Sequence, residues 1–122
     1  MTLRRRQPGE YEQIHVHKVR FVGEQDGLPE TLLKNKLTDL FRHEKNVARA
    51  YLVRTDLGNG HGIVVVLAVR MKSAPDKAIV PKVGVVFASI FNPPEHLDTM
   101  FLTEGQEAEL AKVCKPFFEQ CQ

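Results

Sequence analysis

By residue type and spacing, the best candidates for metal chemistry in this sequence are two histidines, His15 and His17. On a strand both rings would lie on one face, about 7 Å apart. Zinc sites use such pairs, but they need a third and a fourth ligand with supporting groups. The remaining histidines, His43, His61 and His96, fall in other predicted elements, and no carboxylate is spaced to complete a set. We therefore expect an exposed or edge-strand pair, no metal site and no cofactor.

Cysteine chemistry is not indicated either. Cys114 and Cys121 lack the C-x-x-C spacing of zinc and redox sites. Cys114 lies on the apolar side of a predicted helix, as a small core residue would. A catalytic thiol also needs a neighbouring base, which no spacing supplies. So few cysteines are typical of a reducing compartment with free thiols, and we expect a cytoplasmic protein. Because the sequence shows no cluster of acid, base and nucleophile, we also expect that it is not an enzyme.

Nucleic-acid binding is disfavoured by charge and by residue type. The formal net charge is only +2, from 17 Lys and Arg against 15 Asp and Glu. The glycine-rich segment 58–62 joins two predicted strands, whereas a phosphate loop opens a helix. The predicted third strand has no aromatic residue on which RNA bases could stack. We therefore expect no nucleic-acid partner.

The turn between the first predicted strand and the first predicted helix, residues 23–29, is a candidate ligand-binding site. Free N–H groups at the start of a helix can bind a carboxylate, and the turn is rich in glycine. The region resembles the one in which amino-acid-sensing ACT domains hold their ligand. A plain capped turn is the alternative. The candidate ligand-binding residues are Gly23, Asp26, Gly27 and Leu28.

Alternating strands and helices would position these residues. Leu33, Leu37, Leu40 and Phe41 recur at the spacing of one helix face, and Pro29 suits the first turn of that helix. The predicted strands are 14–22 (with a bulge near Lys18), 47–55, 62–70 and 97–102, and the predicted helices begin near residues 29, 76 and 103. The valines of 76–92 favour a strand, but its apolar residues recur at helical spacing, so we predict a helix that buries Val83, Phe87 and Ile90. The last helix starts with a capping box of Thr103 and Gln106.

The resulting order, β-α-β-β-α-β-α, predicts an α+β fold. Without its last helix it is the split β-α-β pattern of ferredoxin-like domains, which have an antiparallel sheet. The third strand, 63–69, is apolar on both faces, so either the C-terminal helix or a second subunit must cover the second face. The last helix offers an apolar stripe for this purpose: Leu110, Val113, Cys114 and Phe117.

The length of 122 residues fits one domain, which we place at 11–122 after a flexible basic arm at 1–10. Arg4, Arg5 and Arg6 supply the charge of that arm. No apolar run approaches the ~18 residues that span a bilayer, so we expect no membrane partner.

Several short motifs occur in order along the chain: Val22-Gly23-Glu24, Leu28-Pro29-Glu30, the segment 46–52 (Asn-Val-Ala-Arg-Ala-Tyr-Leu), Leu97-Asp98 and Lys115-Pro116-Phe117-Phe118. Together they resemble the C-terminal domain of the SseB ("enhanced serine sensitivity") family, from about Val19 to Phe118. The resemblance implies a bacterial cytoplasmic origin and a helix within 76–92. It supplies no reaction and no catalytic residue.

Two main functional hypotheses follow, and a hydrolase or transferase whose site residues are scattered along the sequence is a third alternative. The first is a non-catalytic protein-interaction or regulatory module whose partner is another protein or a second copy of the chain, because apolar positions are in surplus on both sheet faces. The second is a domain that senses a small molecule such as an amino acid at the first strand–helix turn. Stabilisation by one ligand in a thermal-shift screen would favour the second.

Overall fold

The computed structural model describes residues 20–56, 62–92, 95 and 97–120. Its elements are, in chain order, β1 (Arg20–Glu24), α1 (Leu28–Arg42), β2 (Val47–Asp56), β3 (Ile63–Met71), α2 (Ile79–Ala88), β4 (Asp98–Phe101), α3 (Glu104–Leu110) and β5 (Phe118–Glu119). The α+β class is confirmed. The basic arm, the His15–His17 pair, the expected bulge near Lys18, the loop 57–61 and Cys121 lie outside the described residues.

The sheet is mixed, and the prediction of a ferredoxin-like antiparallel sheet is wrong. Its strands follow the order β1-β2-β3-β4, and β5 adds to β2 beside β1. The pairs β1–β2 and β2–β3 are antiparallel, whereas β3–β4 is parallel. In a split β-α-β arrangement another strand separates the two strands that a helix joins. Here α1 returns the chain directly beside β1, and α2 forms the crossover that a parallel β3–β4 pair requires.

The helices α1 and α2 cover one face of the sheet. Each buries one stripe of its surface, and the buried side chains are Leu33, Leu37 and Phe41 of α1 with Ile79, Val83 and Phe87 of α2. They form one core cluster with the inward residues of β2 and β3, including Leu52, Leu67 and Val69. The predicted helix within 76–92 is confirmed, although Ile90 is only partly buried.

The second face of the sheet is covered by the chain itself, as one of the two alternatives predicted. Val66 and Ala68 of β3 pack in a second cluster with Leu110 of α3 and with Cys114. The predicted capping box is present, since Thr103 and Gln106 exchange side-chain to backbone hydrogen bonds at 2.9 and 3.2 Å.

The helix α3 is shorter than the predicted apolar stripe. It ends at Leu110, and Pro116, which has no N–H and restricts the preceding residue, excludes further helix before β5. Val113 is consequently exposed, and Phe117 packs against the cluster on the opposite face. The stripe prediction therefore holds for Leu110 and Cys114 and is wrong for Val113 and Phe117.

Within the described part of the chain, no helix combines the length and the apolar character needed to cross a membrane.

Candidate functional site

The turn from β1 into α1 is shaped by Gly27, the residue before the first helical turn. Its φ of 145° lies in a region that side chains rarely adopt, which explains a glycine at this position. The Gly27 N–H donates to Asp26 Oδ1 at 3.0 Å, and the Gly27 carbonyl accepts the Thr31 N–H at 2.9 Å. The Thr31 hydroxyl donates to the same carbonyl at 2.8 Å. The turn is thus closed by its own hydrogen bonds.

Acidic side chains surround this turn. A Cβ atom at Gly27 would meet Oε1 of Glu30, so the Glu30 carboxylate lies against the start of the helix. The Gln25 amide donates to Glu30 Oε2 at 3.2 Å. Lys34 forms an ion pair with Glu24 at 2.9 Å and lies 3.8 Å from Asp26. The turn therefore carries more negative than positive charge.

The four residues predicted to bind ligand occupy two places. Asp26, Gly27 and Leu28 stand together at the helix start, and the Leu28 side chain is 88% exposed. Gly23 lies on β1, where a Cβ would approach Arg54 Nη2 to 3.0 Å, so the missing side chain makes room for that guanidinium. The ligand role of these residues stays a prediction.

A cavity of about 410 Å³ opens beside the turn, on the helix-covered face of the sheet. It lies where the first turns of α1, the C-terminal end of α2 and the N-terminal ends of β3 and β4 come together. Glu30 belongs both to the turn and to the cavity wall. The volume falls within the ~300–1,000 Å³ of small-molecule sites.

The cavity wall is mainly hydrocarbon. Phe87, near the end of α2, and Phe91, three residues beyond that end, stack with ring centroids 4.6 Å apart. The remaining apolar lining comes from α1, the sheet and the approach to β4: Leu33, Leu52, Val64, Val65 and Leu97. Because Leu33 and Leu52 belong to the buried core, the floor of the cavity is fixed by core packing.

Three carboxylates interrupt this apolar wall. Glu30 comes from the first turn of α1, while Glu95 and Asp98 flank the start of β4. Asp98 is only 5% exposed, which is unusual for a charged residue. Among the described residues that line the cavity, none is Lys, Arg or His. The cavity thus combines an apolar floor with negative charge.

A second polar cluster lies on the opposite face, where α3 meets the sheet. Glu107 accepts hydrogen bonds from Arg49 Nε at 2.5 Å, Arg49 Nη2 at 2.9 Å and the Tyr51 hydroxyl at 2.6 Å. A second guanidinium, Arg70 Nη1, lies 4.0 Å from Glu107. We call the group Arg49, Tyr51, Arg70 and Glu107 the α3 clamp.

The α3 clamp perturbs the ionisation of its members. The hydrogen bond from Arg49 holds the pKa of Glu107 below its usual value, and the reverse interaction raises the pKa of Arg49. Burial, followed by the hydrogen bond to Glu107, raises the pKa of Tyr51. The α3 clamp therefore contains an ion pair, Arg49–Glu107, that holds α3 against the sheet.

Cys114 is buried near this face. Burial, and next the negative charge of Glu24, raise the pKa of its thiol to about 11. Reactive cysteines have a lowered pKa and some exposure, so Cys114 is a core residue and not a nucleophile. In the described ranges, no group of three or more His, Cys, Asp or Glu side chains is arranged to hold a metal ion.

Sequence reasoning identified the turn but not the cavity beside it. The one available signal was Asp98, an acidic residue at the start of an apolar strand. Phe91 and Glu95 gave no signal, because their role depends on which strand β4 joins.

Comparison with known proteins identifies one family. The family model of the SseB protein C-terminal domain matches residues 22–120. No curated protein and no solved structure matches the chain.

Proposed function

Because the chain belongs to the SseB C-terminal domain family, we propose that it is a non-catalytic regulatory module that binds a small molecule in the cavity beside the first strand–helix turn. The observation that carries the proposal is the cavity itself, with a volume of about 410 Å³ and an apolar floor set by core residues. Pockets with few polar groups in an apolar lining are typical of ligand sites.

The position of the cavity suits regulation. Its wall joins the start of α1, the end of α2 and the sheet, so a bound molecule would tie together elements that are distant in sequence. A ligand that binds only the folded protein stabilises it, and the stabilisation rises with the logarithm of the free ligand concentration once that concentration exceeds Kd. We place this activity in the bacterial cytoplasm that the family resemblance implies.

Binding is a simpler role for this site than catalysis. The described residues that face the cavity are alkyl and aromatic side chains and three carboxylates. The thiol of Cys114 is buried in the cluster on the other face of the sheet. Covalent catalysis most often uses a hydroxyl, thiol or amine nucleophile, and the described residues of the cavity wall include no such side chain.

The test uses neutral apolar probes such as n-hexanol and toluene, with thermal-shift and NMR titrations of the full chain. We expect both probes to stabilise the wild type and to shift the signals of Leu33 and Phe87. Val65→Phe should fill the cavity and abolish both effects. Val85→Phe is the matched control, because Val85 lies on α2 with 73% of its side chain exposed.

The cavity-filling variant must itself be folded, which its circular dichroism and melting temperature check. Leu97→Phe, on the approach to β4, provides a second way to fill the same space. Probe binding that survives in both folded variants would refute the proposed site, as would a wild type that binds no probe.

A protein partner is a second candidate, favoured by exposed apolar side chains on α1. Leu28 and Leu32 are 88% and 48% exposed and lie one turn apart, on the side of the helix away from the sheet. A partner protein or a second copy of the chain would cover them. Sedimentation of the wild type and of Leu28→Ser/Leu32→Ser tests for self-association; a monomer at all concentrations would exclude the homodimer.

A further inference from the structure

We infer that the cavity selects ligands carrying an ammonium group on an apolar body. This inference rests on the proposed function and adds the chemical class of the ligand. The cavity supplies two different environments, a hydrocarbon floor and a set of carboxylates, and an amphipathic amine matches both.

The hydrocarbon part of such a ligand fits the floor. The stacked rings of Phe87 and Phe91 form one side, and Leu33 and Leu52 close the bottom. Moving an alkyl or aryl group from water onto these surfaces is favourable in proportion to the apolar area removed from water. This part of the affinity is independent of charge.

The head-group preference comes from the carboxylates. Glu30 and Glu95 belong to the wall, and Glu30 is partly buried beside the start of α1. A cation that enters meets negative charge in a medium less polar than water, where attraction between charges is stronger. Charge-assisted hydrogen bonds to carboxylate oxygens add direction to this attraction.

The same groups act against anions. A ligand carboxylate would lie among like charges, with no basic side chain from the described lining to compensate it. The start of α1 does not offset this repulsion, because the Glu30 carboxylate already lies against Gly27. Specificity thus has an attractive and a repulsive component.

The experiment compares three probes with the same six-carbon tail: n-hexylamine, n-hexanol and hexanoate. Each is titrated calorimetrically into the full chain at neutral pH and low salt, where the amine is protonated. We expect n-hexylamine to bind about tenfold more tightly than n-hexanol, and hexanoate to bind most weakly.

Variants of the carboxylates locate the head group. Glu30→Gln and Glu95→Gln should each weaken n-hexylamine binding about threefold or more while leaving n-hexanol binding unchanged. Glu109→Gln is the matched control, because it removes the same charge from the protein. Glu109 is exposed on α3, on the other face of the sheet. It should leave both affinities at the wild-type value.

The outcomes separate this inference from the proposed function. Equal affinities for n-hexylamine and n-hexanol, or tightest binding of hexanoate, would overturn the amine preference and leave the ligand-binding role intact. An amine preference lost equally in Glu30→Gln and Glu109→Gln would assign it to net charge and refute the inference. Failure of every probe to bind would refute the proposed function as well.

Discussion

Substitution of Glu107 by glutamine should loosen α3 from the sheet, because Glu107 is the acceptor on which the α3 clamp converges. The side chain of Glu107 is 12% exposed and receives two hydrogen bonds from Arg49 and one from Tyr51. Glutamine keeps the shape and one acceptor oxygen but removes the charge. The change therefore tests the ion pair with little disturbance of packing.

The expected loss follows from these contacts. A hydrogen bond to a charged group contributes ~1.5–3 kcal/mol. The two Arg49 bonds belong to one guanidinium whose side chain is 35% exposed, so they count once and are reduced by solvent screening. Arg49 also has Glu119 at 3.9 Å as a second partner. With the tyrosine bond weakened rather than lost, we expect Glu107→Gln to lower the free energy of unfolding by ~2 kcal/mol.

The pH dependence adds a second signature. The pKa of Glu107 is lower in the folded state than its unfolded value, which is ~4.3 for glutamate. Its stabilising contribution is therefore complete above that unfolded value and is lost as the pH falls through the folded value. The difference in stability between wild type and Glu107→Gln should be constant near neutral pH and shrink in acid.

Urea unfolding followed by circular dichroism measures the free energy of unfolding at each pH. Thermal unfolding of Glu107→Gln should show a melting temperature about 8 °C lower at neutral pH. Glu109→Gln is the matched control on the same helix, since Glu109 is 67% exposed and its ion pair with Lys112, at 3.1 Å, lies on the surface. That surface pair should contribute less than ~1 kcal/mol. Equal midpoints for the two variants would refute the clamp.

Three further changes test the core, the turn and the thiol. Leu37→Ala should lower the free energy of unfolding by ~2–5 kcal/mol, measured by urea unfolding, because Leu37 is fully buried; an unchanged midpoint would contradict its place in the core. Gly27→Ala should lower the melting temperature, since a side chain is strained at a φ of 145° and would meet Glu30; a neutral or stabilising effect would contradict that strain. Cys114, with its pKa raised to about 11, should react with a thiol reagent at pH 8 only when urea unfolds the chain, and rapid labelling of Cys114 in the native state, located by mass spectrometry, would show that it is accessible.

Local patterns in the sequence were sufficient to predict the helices. The spacing of Leu33, Leu37 and Phe41 predicted α1, and the spacing of Val83 and Phe87 predicted α2 against the β preference of valine. The double-sided apolar character of β3 also predicted that both sheet faces are covered. These predictions succeeded because a buried face of a helix or strand requires apolar residues at regular intervals, and those intervals can be read from the sequence.

The pairing of strands has no comparable local pattern in the sequence. Whether β4 lies beside β3 in parallel, or elsewhere in an antiparallel sheet, depends on the path of α2 across the sheet and on contacts between distant residues. The same element order suits more than one sheet, so the ferredoxin-like prediction was wrong although the helices were right. The added strand β5 likewise depends on long-range pairing, with Arg49 and Ala50 of β2.

One part of the candidate site could be predicted from the sequence and the other part could not. The glycine-rich turn at Gly27 could be recognised from sequence because a backbone conformation with positive φ restricts the residue type. The cavity beside it could not, since its wall joins Glu30, Phe87 and Asp98 from three elements. Only the parallel placement of β4 against β3 brings the start of that strand to the ends of both helices. The sequence determined which segments fold and which faces they bury, while the long-range pairing of strands decided where a space remains between them.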